Sequence, residues 1–134
     1  MVQAGRIYTL KNQNTDTCLD LNTANGRVRA WGGNGGDNQK WRLDREGPGH
    51  RWHLQNVAAG LYLAPEHDGV GAALRGASDP YLWHISDDEG GHRLQIARDV
   101  DLHIDVENAS CDDDTKVLLW ERKGDNQVWI LEDA

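Results

Sequence analysis

The chain is expected to be all-β, built from three repeats of four short strands each. Trp41, Trp83 and Trp129 recur 42 and 46 residues apart, and each belongs to a short apolar run: Lys40-Trp41-Arg42-Leu43, Leu82-Trp83-His84-Ile85 and Val128-Trp129-Ile130-Leu131. About 20 residues before each tryptophan lies another matched run: Cys18-Leu19-Asp20-Leu21, Leu61-Tyr62-Leu63-Ala64 and Leu102-His103-Ile104-Asp105-Val106. A fixed period with two internal landmarks decides architecture ahead of local propensity. No segment sustains a helical period, whereas apolar and polar residues alternate in short stretches throughout.

Each element follows in order. The first repeat, approximately 5–48, opens on the alternation Arg6-Ile7-Tyr8-Thr9-Leu10 and continues with the Cys18–Leu21 strand. A turn at Asn25-Gly26 leads into Arg27–Trp31, and the glycine-rich loop Gly32–Gly36 leads to the strand of Trp41. The second repeat, approximately 49–90, offers Arg51–Gln55, Leu61–Ala64, Gly71–Arg75 after Asp68-Gly69, and the strand of Trp83. The third, approximately 91–134, offers Arg93–Ala97, Leu102–Val106, Lys116–Trp120 and the strand of Trp129. Gly47–Gly49 and Asp87–Gly91 read as connections between repeats, too short for domain linkers. Residues 1–134 are therefore expected to form one domain, and a chain of this length can bury most of its unfolded surface without a metal or a disulfide framework.

Charge and composition exclude several functions. A formal net charge of -8 and a pI near 5.1 leave no clustered Lys and Arg to displace counterions from a phosphate backbone, so nucleic acid is not an expected partner. No apolar run approaches the roughly 20 residues that span a bilayer, so membrane insertion is not expected either. The start Met1-Val2-Gln3-Ala4-Gly5 lacks the charged and apolar segments of a signal peptide, which points to a cytoplasmic or non-classically secreted protein. Cys18 and Cys111 are the only cysteines; free thiols in a reducing compartment are the favoured reading, with a single bridge as the alternative. Asp112-Asp113-Asp114 lacks the alternate spacing of an oxygen-ligand loop and reads as a solvated turn. The six histidines show no metal-ligand spacing, and His50 and His92 fall in connections where exposure is expected. No cofactor is expected.

The motifs Asp37-Asn38-Gln39-Lys40-Trp41 and Asp125-Asn126-Gln127-Val128-Trp129, with the degenerate Asp79-Pro80-Tyr81-Leu82-Trp83 between them, give two Gln-x-Trp repeats and a third lacking its Gln. In that combination the chain resembles the ricin B-type lectin family, in particular its small single-domain members of fungal type, from about Arg6 to Leu131. The resemblance implies a β-trefoil with pseudo-threefold symmetry. It also implies that Trp41, Trp83 and Trp129 are core residues around that axis rather than sugar contacts.

Sugar recognition needs an aromatic face for a patch of C–H groups and paired donors and acceptors for hydroxyls. Carried over residue by residue, the family's binding pattern falls on Asp20, Trp31, Asn38 and Gln39 in the first repeat, where Asp20 can accept two hydroxyls and Trp31 ends a strand beside open loop. Asn34 lies in that loop, and Arg29, two residues before the aromatic, can donate to a ring or hydroxyl oxygen or stand as a solvated strand residue. The third repeat repeats the set with Asp105, Leu118, Trp120, Asn126 and Gln127, and adds Lys123 within reach of a sugar hydroxyl. Gln39 and Gln127 fit a bracing role in the hairpin as well as a binding one. The second repeat has Ala64 at the acid position, Arg75 or Gly76 near the aromatic position and Asp79-Pro80-Tyr81 for the amides, so it is expected to be silent.

The expected function is a carbohydrate-binding lectin with sites in the first and third repeats, and the resemblance implies galactose or N-acetylgalactosamine on glycoproteins or glycolipids as its partners. Two sites on one scaffold would raise avidity for clustered glycans; a homodimer is possible. The alternatives are a carbohydrate-binding module of a glycosidase and a trefoil protease inhibitor, the latter disfavoured by two complete acid–aromatic–amide sets. An enzyme is not expected: Asp20 and Asp105 fall in different repeats, whereas a glycosidase places its two carboxyls within about 10 Å.

Overall fold

The computed structural model describes residues 2–134, which form twelve strands: β1 Arg6–Asn12, β2 Cys18–Leu21, β3 Val28–Trp31, β4 Trp41–Arg45, β5 Arg51–Asn56, β6 Tyr62–Pro65, β7 Leu74–Ala77, β8 Trp83–Asp88, β9 Gly91–Ile96, β10 Asp99–Val106, β11 Thr115–Glu121 and β12 Trp129–Asp133. Antiparallel pairing runs β1–β4–β5–β8–β9–β12 and returns from β12 to β1, closing a six-stranded barrel. Closure removes the free edges on which strands from other chains could pair. The other six strands form the hairpins β2–β3, β6–β7 and β10–β11, one per repeat. These hairpins touch one another through Thr115↔Ala30 and Lys116↔Arg29, Arg27↔Arg75 and Ala73↔Leu118. The arrangement is a β-trefoil with the expected threefold repeat.

The alternation seen in the sequence is what sorts residues between barrel interior and solvent. In β1, for example, Tyr8, Leu10 and Asn12 are buried while Ile7, Thr9 and Lys11 are partly exposed. Leu10, Leu54 and Leu94 occupy the same place in their repeats and are fully buried. Trp41, Trp83 and Trp129 have no solvent exposure. Each indole Nε1–H donates to a backbone carbonyl in its own repeat's second strand: Trp41 to Leu19 (3.1 Å), Trp83 to Leu63 (2.9 Å) and Trp129 to Ile104 (3.2 Å). One large ring per repeat thus fills the core and ties the barrel to the hairpin above it.

Three local expectations change. The third strand of the second repeat is Leu74–Ala77 rather than Gly71–Arg75, because Gly71 adopts φ +84°, a loop conformation that ends the Asp68–Gly71 turn. With Ala64 paired to Arg75 and Tyr62 to Ala77, the aromatic position of that repeat falls on Ala77, and Arg75 is the counterpart of Arg29. The connection read over Asp87–Gly91 shrinks to the turn Glu89-Gly90, both at positive φ, so His92 lies in β9 and is partly buried, with Nδ1 3.0 Å from Asp87. Among the described residues no helix is long and apolar enough to cross a membrane.

Trp83→Phe is expected to lower stability by about 1–3 kcal/mol, because the carbonyl of fully buried Leu63 loses its donor. Urea denaturation should show a lower midpoint with little change in slope.

Candidate functional site

In the third repeat β10 and β11 pair so that His103 lies opposite Trp120 and Asp105 opposite Leu118. Residues two apart on a strand share a face, so acid and aromatic emerge side by side. The 3-10 turn Asp125–Gln127 then brings two amides onto the carboxylate. Gln127 Nε2 donates to Asp105 Oδ2 (2.8 Å) and Asn126 Nδ2 to Asp105 Oδ1 (3.2 Å). Asn126 Nδ2 also reaches the Val106 carbonyl (3.2 Å). Gln127 itself is buried and fixed at every polar atom: Nε2 to the Glu121 carbonyl (2.7 Å), Oε1 from the Lys123 N–H (2.7 Å) and from Arg93 Nη1 (3.0 Å).

What remains open is a cleft of about 370 Å³ lined by Asp105, Glu107, Asn108, Ala109, Leu118, Trp120, Lys123 and Asn126. That volume suits a small ligand. Burial pushes the Asp105 carboxyl above its usual range, opposed by the hydrogen bond from Gln127 and the charge of Lys123. Each Asp105 oxygen accepts one amide, which leaves lone pairs free for a hydroxyl donor. Lys123 stands with Nζ 5.4 Å from the Trp120 ring centroid and its side chain in solvent.

The first repeat assembles the same residues differently. Asp20 lies opposite Arg29 on β3, and Cys18 opposite Trp31. Gln39 Nε2 donates to Asp20 Oδ2 (2.9 Å) and to the Gly32 carbonyl (3.0 Å), and its Oε1 accepts the Asn34 N–H (3.0 Å). Asn34 turns its own side-chain oxygen to the Gly36 N–H (2.9 Å). The second Asp20 oxygen, Oδ1, accepts Arg29 Nε (2.9 Å), and the guanidinium lies over Trp31 at 4.2 Å from the ring centroid. Arg29 is not a solvated strand residue: its side chain is only 20% exposed. Asn38 keeps the bond to the Leu21 carbonyl (3.3 Å), as Asn126 does to Val106, but makes none to the acid.

The second repeat brings none of this together. Proline disfavours helical backbone at the residue before it, and where Asp37–Gln39 and Asp125–Gln127 form 3-10 turns the Asp79-Pro80-Tyr81 stretch forms none. Tyr81 instead donates its hydroxyl to Asp68 (2.7 Å), which Arg98 also pairs (2.7 Å).

Two supporting residues escaped the sequence reading. Asn12 Nδ2 donates to the Asn126 carbonyl (2.9 Å), and Asn56 Nδ2 to the Asn38 carbonyl (3.0 Å). Both side chains also cap the following turn through Oδ1, Asn12 to the Asn14 and Thr15 amides and Asn56 to those of Ala58 and Ala59. Pairing sets Asn12 opposite Trp129 and Asn56 opposite Trp41; the equivalent residue opposite Trp83 is Ile96. The signal was a Leu-x-Asn pattern, Leu10-Lys11-Asn12 and Leu54-Gln55-Asn56, that lapses as Leu94-Gln95-Ile96.

Asp113 and Asp114 do more than face solvent. Asp113 Oδ1 accepts the Gly32 N–H (2.8 Å), and Asp114 lies 3.7 Å from Arg29 Nη1. Among the described residues no group of three or more His, Cys, Asp and Glu is placed to hold a metal ion. Cys18 is buried, Cys111 exposed, and both are free thiols. A larger hollow of about 520 Å³ beside His50, Trp52 and His92 lacks any acid–aromatic–amide set.

His103, beneath Trp120 in the pairing, is buried, and its Nδ1 finds no hydrogen-bond partner among the described residues. Burial, then the charges of Arg93 and Arg122, push its pKa down to about 4. The unfolded chain takes up this proton near pH 6.5 and the native chain resists it, so native stability falls as the pH drops between those values. Between pH 7 and 4.5 the His103 contribution should be about 2–3 kcal/mol. Urea denaturation at both pH values should show this loss, and His103→Leu should remove that share of it.

A family model described as ricin-type beta-trefoil lectin domain-like matches residues 2–76, more than half of the chain. No curated protein sequence matches it. Among solved structures, the Rhizoctonia solani agglutinin superposes with a TM-score of 0.93 at 29% identity, covering 100% of this chain and 99% of that one. The Macrolepiota procera ricin B-like lectin in complex with lactose gives 0.93 at 25% identity, again covering 100% and 99%. An exo-beta-1,3-galactanase from Clostridium thermocellum gives 0.85 at 25% identity, with 100% of this chain matched to 31% of that one.

Proposed function

The chain belongs to the ricin-type β-trefoil lectin-like family, and we propose that it is a carbohydrate-binding lectin for galactose- or N-acetylgalactosamine-type glycans, with the acid–aromatic–amide sets of its first and third repeats as candidate sites and that of the third as the open one. The third-repeat cleft carries this reading: a buried carboxylate oriented by two amides, with Trp120 beside it and Lys123 at the rim. The axial hydroxyl of galactose leaves a contiguous C–H patch on one face of the sugar. That patch suits the Trp120 ring, while Asp105 and Asn126 suit its hydroxyls. The lactose held by the Macrolepiota procera lectin ends in galactose, which favours the same sugar class here. The first repeat offers the same acid, aromatic and amides in a closed arrangement, and the second offers none of them.

A shallow cleft of this size should bind a single sugar weakly, since few atoms are buried. The partners proposed are therefore glycans displayed in clusters on glycoproteins or glycolipids, where several lectin–sugar contacts act together. Service as a binding module beside a glycosidase is the second reading, favoured by the match to one part of the galactanase chain. The two readings share the same sugar-binding chemistry.

A glycan array on the wild type should select galactose-terminated glycans. Asp105→Ala should reduce that signal at least tenfold, and Asp20→Ala with Asp105→Ala should abolish it while thermal unfolding remains cooperative. Signal retained by the folded double variant would exclude the assignment. Because the raised Asp105 loses its charge at higher pH than a solvated aspartate, binding should weaken on acidification before ordinary surface carboxylates titrate.

A further inference from the structure

We propose that Arg29 is a specificity-determining residue that keeps the first-repeat site shut, so that the chain engages sugar through the third repeat alone. The inference rests on the carbohydrate reading above. A ligand in either site must use the free acceptor capacity of the acid and the open face of the aromatic ring. In the third repeat both are available, because the residue opposite the acid is Leu118, which can neither donate to Asp105 nor carry charge onto Trp120. In the first repeat the residue in that register is Arg29.

Arg29 takes both positions at once. Its Nε bonds Asp20 Oδ1 at 2.9 Å, displacing the amide bond that Asn126 makes to Asp105 in the other site. Its guanidinium plane covers the Trp31 ring at 4.2 Å, where a sugar face would lie. With Gln39 on Oδ2, the fully buried Asp20 carries one internal bond on each oxygen, as Asp105 does, but its Oδ1 donor is a cation where that of Asp105 is a neutral amide. A charge-assisted bond and a cation–π contact are both made before any ligand arrives, and neutral hydroxyls would have to displace them together.

The third repeat strengthens the closure from outside. Asp114, at the start of the β10–β11 turn's exit into β11, stands 3.7 Å from Arg29 Nη1, and its neighbour Asp113 holds the Gly32 N–H at 2.8 Å beside Trp31. The β11–β3 pairing, with Lys116 in register with Arg29, is the backbone contact that brings Asp114 alongside the guanidinium. The arginine therefore sits between an acid of its own hairpin and an acid of the next repeat. Over Trp120 the cation is Lys123, whose exposed side chain holds Nζ at 5.4 Å from the ring centroid and, among the described residues, makes no bond to Asp105.

Lactose titration followed by indole N–H resonances and by calorimetry tests the proposal. In the wild type the Trp120 indole should shift and the Trp31 indole should not, with one lactose bound per chain. Arg29→Leu, which gives the first repeat the residue found at Leu118, should bring the Trp31 indole into the titration and raise the stoichiometry from one to two. Equal lactose-dependent shifts of both indoles in the wild type would overturn the proposal, and so would a folded Arg29→Leu that still binds one. The wild-type indoles decide the question even if the variant fails to fold. Lactose binding at neither indole would remove the carbohydrate reading and this inference with it, a result distinct from binding at both.

Discussion

Everything else in this molecule hangs from three indole N–H groups. Trp41, Trp83 and Trp129 are wholly buried, and each donates to a carbonyl of its own repeat's second strand. A buried indole that lacked this acceptor would forfeit more than the bond adds, so the strand position is fixed as firmly as the ring. The carbonyls used belong to Leu19, Leu63 and Ile104, each one residue before the place of the acid. The same contact that closes the core thus sets the depth and direction of Asp20 and Asp105. It also holds Ala64, which has nothing to offer a ligand.

That separation between scaffold and site is drawn most sharply by the asparagines. Asn12 and Asn56 hold the backbone of the motif turn in the neighbouring repeat, and Ile96 replaces them where the turn is Asp79-Pro80-Tyr81. A buried amide is costly unless its polar atoms are bonded, and beside a stretch that does not form the 3-10 turn the apolar Ile96 leaves no polar atom to satisfy. The second repeat's loss of the acid and the amides thus goes with the loss of the asparagine that the third repeat would have lent it. The tryptophan survives it because its role lies in the core.

The period of the tryptophans, the strand count and the acid–aromatic–amide sets were legible in the sequence because each depends on residue type at a repeated place. A shared core demands the same ring three times, and Asp20 and Asp105 stand 21 and 24 residues before it, at the same place in the second strand of their repeats. Arg29 was legible as a neighbour of the aromatic but not as its cover, since a long side chain's direction follows from what lies opposite it on β2 and from Asp114 in another repeat. Asn12 and Asn56 were passed over because burial is ordinarily read from apolar alternation, and they are buried by hydrogen bonds. The shift of the third strand in the second repeat has a backbone cause, the left-handed Gly71, which the continuous apolar run Ala72-Ala73-Leu74 conceals.

The bond from Asn12 to Asn126 spans nearly the whole chain, and Asn12 pairs with Trp129 across the seam where β1 meets β12. The motif turn of the first repeat is held by Asn56, 18 residues further along the chain, whereas that of the third is held by Asn12, 114 residues before it. The third-repeat cleft accordingly rests on a contact between the first and last strands of the barrel, so damage at that seam would reach the cleft directly.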